Sequence, residues 1–107
     1  MKQQSNIYVV ADGMHDYSSA KVFGKLIFVS EEFIPKLDVT KMARVFAPFV
    51  ESSHASDFIV QGGPNVMLSL LCSMFALKHG RLNLLIFSKD GYRKRSIVFK
   101  REEDDEN

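Results

Sequence analysis

The chain has 107 residues, enough for one domain whose core forms without disulfide or metal staples. Its single cysteine, Cys72, excludes an intramolecular disulfide, and its longest apolar run, Val66 to Leu77, is broken by Ser69 and Ser73 and is too short to span a bilayer. Net charge is +1, but the five acids Glu102 to Glu106 mask a body with 14 basic against 8 acidic residues.

In chain order, the β-branched and aromatic run "IYVVA" (7–11) reads as a first strand. "DYSSAKVFG" (16–24) opens on the capping residue Asp16 and closes on glycine, which predicts a short helix. "KLIFVS" (25–30) is a second strand, followed by a loop with Pro35. From Asp38, a good N-cap, the residues Val39, Met42, Ala43, Phe46, Phe49 and Val50 recur at helical spacing. That helix is expected to bend or end near Pro48, which cannot donate to the Arg44 carbonyl. "DFIVQ" (57–61) is a third strand, and "GGPN" leads into a helix from Pro64 to His79 with Pro64 at its first position and Gly80 as its stop. "RLNLLIF" (81–87) and "YRKRSIVFK" (92–100) are strands joined through Asp90-Gly91.

This alternation predicts an α/β fold: a small Rossmann-like three-layer domain over residues 1–101, with a mostly parallel five-stranded sheet. The expected strand order is 2-1-3-4-5, with the last strand an antiparallel edge. "LLIF" and "YVV" lack polar alternation, as in strands buried on both faces. The acidic segment 102–107 has nothing apolar to bury and is expected to be disordered. The helix 64–79 is apolar nearly all round, so it is expected to be covered on more than one side, by a second copy in a homodimer or by its own neighbours. The opening "MKQQSNIYVV" is unlike a signal peptide, and Cys72 reads as a reduced core thiol, so the expected location is cytoplasmic, with no membrane contact.

In an open parallel sheet, ligands bind at the carboxyl ends of the strands where the order reverses. That point falls between "ADGMHDYSS" (11–19) and "QGGPN" (61–65). Gly62 and Gly63 let backbone approach a ligand, the helix behind them offers free N–H groups to an anion, and Asn65 adds an amide. The alternative is a tight turn into a core helix. Asp12, His15 and Asp16 are close in sequence, and His15 is the one candidate for acid–base chemistry. These three fit no metal-spacing motif, and no cofactor is expected. Tyr17 and Tyr92 are aromatics that could stack on a base at the rim. His54 and His79 lie near helix ends, where a cation suits the dipole. The block 89–101 concentrates Arg93, Lys94 and Arg95, which reads as a charged edge or as a contact to nucleic-acid phosphates.

The segment "FIVQGGPNVMLSLLCSMFALKHGRLNLLIF" resembles part of the CRISPR-associated Rossmann-fold (CARF) sensor domains, over about 30 of the 107 residues. Those have a strand, a loop of the type T-G-G-T-K, an apolar helix and another strand, and the resemblance implies binding of cyclic oligoadenylate at a dimer interface. Gly62 and Gly63 match that loop; Pro64 and Asn65 stand where the family often has threonine and lysine. "HDYSSAKVFGKLIFVS" is similar to small proteins of phages and other mobile elements, which implies an accessory role. Three functions follow as expectations: a non-enzymatic protein binding a nucleotide or other phosphorylated ligand through Asp12, His15, Gly62, Gly63 and Asn65; an interaction module using the basic hairpin; and a phosphodiesterase or nuclease built on His15.

Overall fold

The computed structural model describes residues 4–13 and 15–99. The segment 102–107, expected to be disordered, lies outside them. The sheet has five strands in the order β2-β1-β3-β4-β5. These are β1 (Asn6–Val9), β2 (Lys25–Phe28), β3 (Phe58–Val60), β4 (Arg81–Ser88) and β5 (Gly91–Val98). All neighbouring pairs are parallel except β4 with β5, so the predicted class, order and antiparallel edge hold.

The two faces of the sheet are covered unequally. On one, α1 (Val39–Ser52) and α2 (Asn65–His79) pack over Tyr8, Val10 and Ile59. On the other, Ile7, Val9, Phe58, Val60 and Leu85 meet Ala20 and Phe23 of the 3-10 helix Ser18–Phe23, with Tyr17 before it and Tyr92 of β5 at the rim. The third layer is therefore thin. The short helix predicted over 16–24 is six residues of 3-10 geometry, with Tyr17 rather than Asp16 at the N-cap. Asp16 stands one position earlier, where its carboxylate accepts the Ser18 N–H at 2.9 Å.

α1 starts as expected, with the Asp38 carboxylate accepting the Lys41 N–H at 3.2 Å. It does not end at Pro48 but runs on to Ser52. Pro48 is exposed, so the Arg44 carbonyl that it leaves without a donor lies on the solvent side, where water serves. The α1 carboxyl end is held by α2: Lys78 Nζ donates to the Val50 carbonyl at 3.0 Å and to that of Glu51. Pro64 is the N-cap of α2 rather than its first helical residue, with ψ at 134°. Gly80 closes α2 in the left-handed conformation, its N–H donating to the Ala76 carbonyl at 2.7 Å.

α2 buries Met67, Leu71 and Phe75 against the sheet and has α1 along its flank, which accounts for most of its apolar surface. Leu77 remains 89% exposed. The strand β4 is not buried on both faces throughout. It is paired with β3 only at Leu84 and Leu85, and beyond them Ile86 and Phe87 stand in the β4–β5 hairpin alone and are exposed. Among the described residues no helix is long and apolar enough to cross a membrane.

Candidate functional site

The carboxyl ends of β1, β3 and β4 form the rim where the strand order reverses. The loops 11–19 and 61–65 meet there, as the topology required. Between them lies an open cleft of about 350 Å³. One wall is the loop after β1, with His15, Asp16 and Tyr17. The floor is Gln61 and Gly62 at the end of β3, and the far wall is Phe87 and Tyr92 from the β4–β5 hairpin. A second hollow on the other side of Tyr17 is lined by Asp12, Ser18, Lys21 and Phe28 and shares His15 and Asp16.

Each wall has a local cause. Tyr17 is buried because it caps the thin layer over the sheet, and Gly62 lies under it: a Cβ on Gly62 would stand 3.3 Å from the Tyr17 hydroxyl. Gln61 is fixed by its N–H to the Leu85 carbonyl (2.9 Å) and by its side-chain amide, which donates to the Ile59 carbonyl at 3.3 Å. Phe87 and Tyr92 are cross-strand partners with rings edge to face, centroids 5.2 Å apart. His15 packs edge-on to Tyr17, with centroids 6.1 Å apart. Phe87 is 61% exposed, a large aromatic presented to the cleft rather than to the core.

The electrostatics are acidic and aromatic, not basic. Among the described residues no Lys or Arg lines this cleft, and Lys21 is the one lysine of the second hollow, which Asp12 and Asp16 also line. The Ser18 backbone N–H holds the Asp16 carboxyl below its ordinary range, with a smaller contribution from Lys21. Burial pushes the Tyr17 phenol up. Burial also raises Tyr92, reinforced by the nearness of Tyr17 and Asp16. Both hydroxyls therefore stay protonated at neutral pH and can donate hydrogen bonds.

The residues predicted as a site divide. His15 and Gly62 line the cleft, and Asp12 and His15 line the second hollow. Gly63 and Asn65 line neither. Gly63 is structural: its φ is +96°, and a Cβ there would come within 2.5 Å of a Val10 methyl. Asn65 is an exposed first residue of α2. Neither hollow therefore brings Gly63 or Asn65 together with His15. Among the described residues no hydrogen bond or ion pair links His15 to Asp12 or Asp16, and no group of three His, Cys, Asp or Glu is placed to hold a metal ion.

The basic triplet is split by the pleat. Arg93 and Arg95 stand opposite Ile86 and Leu84 on the helix-covered face, and Lys94 stands opposite Leu85 on the other. Gln61 and Phe87 were not legible as site residues. Phe87 read as the end of a buried run, and only the shortness of β3 exposes it.

A second polar group sits at the opposite, amino end of the sheet. Asp57 is 2% exposed, and its carboxylate accepts the Asn6 N–H (3.0 Å), the His54 N–H (2.8 Å) and the Tyr8 hydroxyl (3.4 Å). Asn83 donates to the carbonyls of Ala55 and Asp57 and accepts from Ser96. His79 meets the Ser53 hydroxyl at 2.8 Å and lies tilted against Phe75, ring centroids 4.4 Å apart. Burial and Lys78 hold the His79 pKa down, so Lys78, not His79, serves as the cation at a helix end.

No family model matches the chain, and neither a curated protein nor a solved structure is similar to it.

Proposed function

We propose that this chain is a non-enzymatic binding protein for a nucleoside or nucleoside monophosphate, held base-first in the cleft between the loop after β1 and the β4–β5 hairpin. The observation that carries the reading is the lining: Tyr17, Phe87 and Tyr92 around one small opening, with Asp16, Gln61 and His15 as the polar groups among them. Aromatic rings stack on any base at about 1–3 kcal/mol each. A carboxylate and a carboxamide suit the exocyclic amino group and ring nitrogens of a base edge. The cleft volume falls at the low end of the range for small-ligand sites, about 300–1,000 Å³.

The charge balance limits the ligand further. Lys21 shares its hollow with Asp12 and Asp16, so a run of phosphates would find more repulsion than neutralisation. One phosphate at Lys21 and Ser18 is tolerable; a triphosphate is not favoured. Binding rather than catalysis is supported by His15 having, among the described residues, no hydrogen bond or ion pair to Asp12 or Asp16 that would orient it.

Isothermal titration with the four ribonucleosides and their mono- and triphosphates tests this. One base is expected to bind as nucleoside and monophosphate alike, to lose affinity as triphosphate, and to lose about tenfold or more in Tyr92→Ala. Absence of binding by every nucleoside and monophosphate, or affinity that rises with each added phosphate, would refute it.

A further inference from the structure

The sheet has two open edges among the described residues, β2 on one side and β5 on the other. The Lys25 and Val29 N–H groups donate inward to the Ser5 and Val9 carbonyls, each at 2.9 Å. Odd-numbered residues of β2 therefore bond to β1, and Leu26 and Phe28 turn their N–H and C=O groups outward. The Phe99 N–H donates to the Gly80 carbonyl at 2.8 Å, so odd-numbered residues of β5 bond to β4, and Lys94, Ser96 and Val98 face out. Edge strands are normally guarded by charge. On β5 the guard covers only Arg93, Lys94 and Arg95; Ile97, Val98 and Phe99 beyond them are exposed and apolar. β2 is flanked by a hollow on each face. On the helix side one of about 600 Å³ lies between Phe28 and the α1 residues Val45 and Phe49, and Glu31, Glu32 and Lys41 also line it. On the other face is the hollow of Asp12, Asp16 and Lys21. Acids thus outnumber lysines beside β2, and β5 carries three cations and no acid.

We infer that β5 of one copy pairs antiparallel with β2 of the next, so that chains associate head to tail and continue one sheet. The orientation comes from the fold. β2 runs parallel to β4 and β5 runs against both, so copies repeated side by side in the same sense bring β5 and β2 together antiparallel. The register comes from the side chains. Outward-turned residues must face outward-turned ones, which sets even numbers against even. One such register makes Leu26–Val98 and Phe28–Ser96 the hydrogen-bonded pairs, with Ile27 opposite Ile97 between them. It brings the basic triplet beside the residues just past β2. Arg93 and Arg95, on the helix-covered face, turn to the hollow of Glu31 and Glu32; Lys94, on the other face, turns to that of Asp12 and Asp16. A slip by two residues sets Phe28 opposite Lys94 and Lys25 opposite Ile97, and loses both matches. The contact joins two different surfaces, so each copy keeps one edge free and growth does not stop at a dimer. This inference is independent of the ligand reading, since the cleft lies on the far side of Tyr17 from β2.

Variants of the full chain that spoil one edge at a time test it by sedimentation. The wild type is expected to rise in mean mass with concentration, past the dimer, and to fall in mass as salt is added. Glu31→Lys with Glu32→Lys spoils the β2 edge. Val98→Pro spoils the β5 edge and leaves the ladder to β4, because the Val98 N–H points outward. Arg93→Glu with Arg95→Glu is a second β5 variant that leaves the backbone untouched. Each alone is expected to weaken association at least about tenfold. The β2 variant mixed with Val98→Pro is expected to give a dimer and nothing larger, because only the intact β5 of one and the intact β2 of the other can meet. That mixed dimer also shows that both variants fold. Three results would overturn the proposal: a monomeric wild type at ~100 μM, well above the dissociation constant of a specific contact; any of the variants assembling alone as the wild type does; or a mixture no larger than its separate components.

Discussion

The two ends of the sheet carry similar residue types and put them to opposite use. At the amino end, Asp57, Tyr8, Asn83, His79 and Ser53 satisfy one another or nearby backbone at 2.6–3.4 Å. At the carboxyl end, His15, Tyr17 and Tyr92 line open space, with Asp16 and Gln61 beside them engaged by the Ser18 N–H and the Ile59 carbonyl. Buried polar groups must be paired because an unpaired one costs its full desolvation. A polar group left facing a cleft is free to pair with something else. The comparison therefore separates a structural cluster from the site proposed for binding without reference to residue type, and it can be broken by mutation.

The largest effect is expected at the amino end. Asp57→Ala strands the Asn6 and His54 N–H groups and the Tyr8 hydroxyl together, and should cost about 3 kcal/mol or more in urea unfolding. A cost below about 1 kcal/mol would mean that the cluster holds little. Gly63→Val follows, at about 2 kcal/mol, since a positive φ and the Val10 methyl both oppose it. This loss should appear equally with and without ligand, because Gly63 lines neither hollow. At the carboxyl end the pattern inverts. Phe87→Ala is expected to leave the unfolding midpoint within about 0.5 kcal/mol of wild type while weakening nucleoside binding at least about fivefold.

The smallest effect is a pH dependence. The His79 pKa is held below its ordinary value when folded, so the unfolded chain binds the proton more readily. Its contribution is complete above the ordinary histidine range and is lost as pH falls through that range. Wild type should therefore lose more stability than His79→Gln between about pH 7.5 and pH 5. Parallel curves for the two would assign no such role to His79.

Much of this was legible in the sequence for physical reasons that can be named. The β-α alternation and the Asp90-Gly91 turn signal pointed to a parallel sheet with an antiparallel edge, although the turn itself falls at Lys89-Asp90, and right-handed crossovers bring the loops 11–19 and 61–65 together. Tyr17 and Tyr92 were recognisable as rim aromatics. What could not be read depends on lengths set in three dimensions. β3 is only three residues long, and this alone exposes Ile86 and Phe87 and turns an apparently buried strand end into a cleft wall. Gly62 and Gly63 look equivalent in sequence, yet one lies under Tyr17 in the cleft and the other packs on Val10. Asp57 read as the first residue of a strand, because its three donors come from positions remote or non-periodic in the chain.

The central claim is that the aromatic cleft, and not the basic edge or the amino-end cluster, receives a nucleoside. A ¹H–¹⁵N correlation spectrum of the full chain, titrated with each of the four ribonucleosides, tests it most directly. The account predicts that one nucleoside shifts the amides of His15, Tyr17, Gln61, Gly62, Phe87 and Tyr92 while Asn6, Asp57 and Asn83 stay in place. Shifts centred on Arg93 to Arg95, or no saturable shift with any nucleoside, would contradict it.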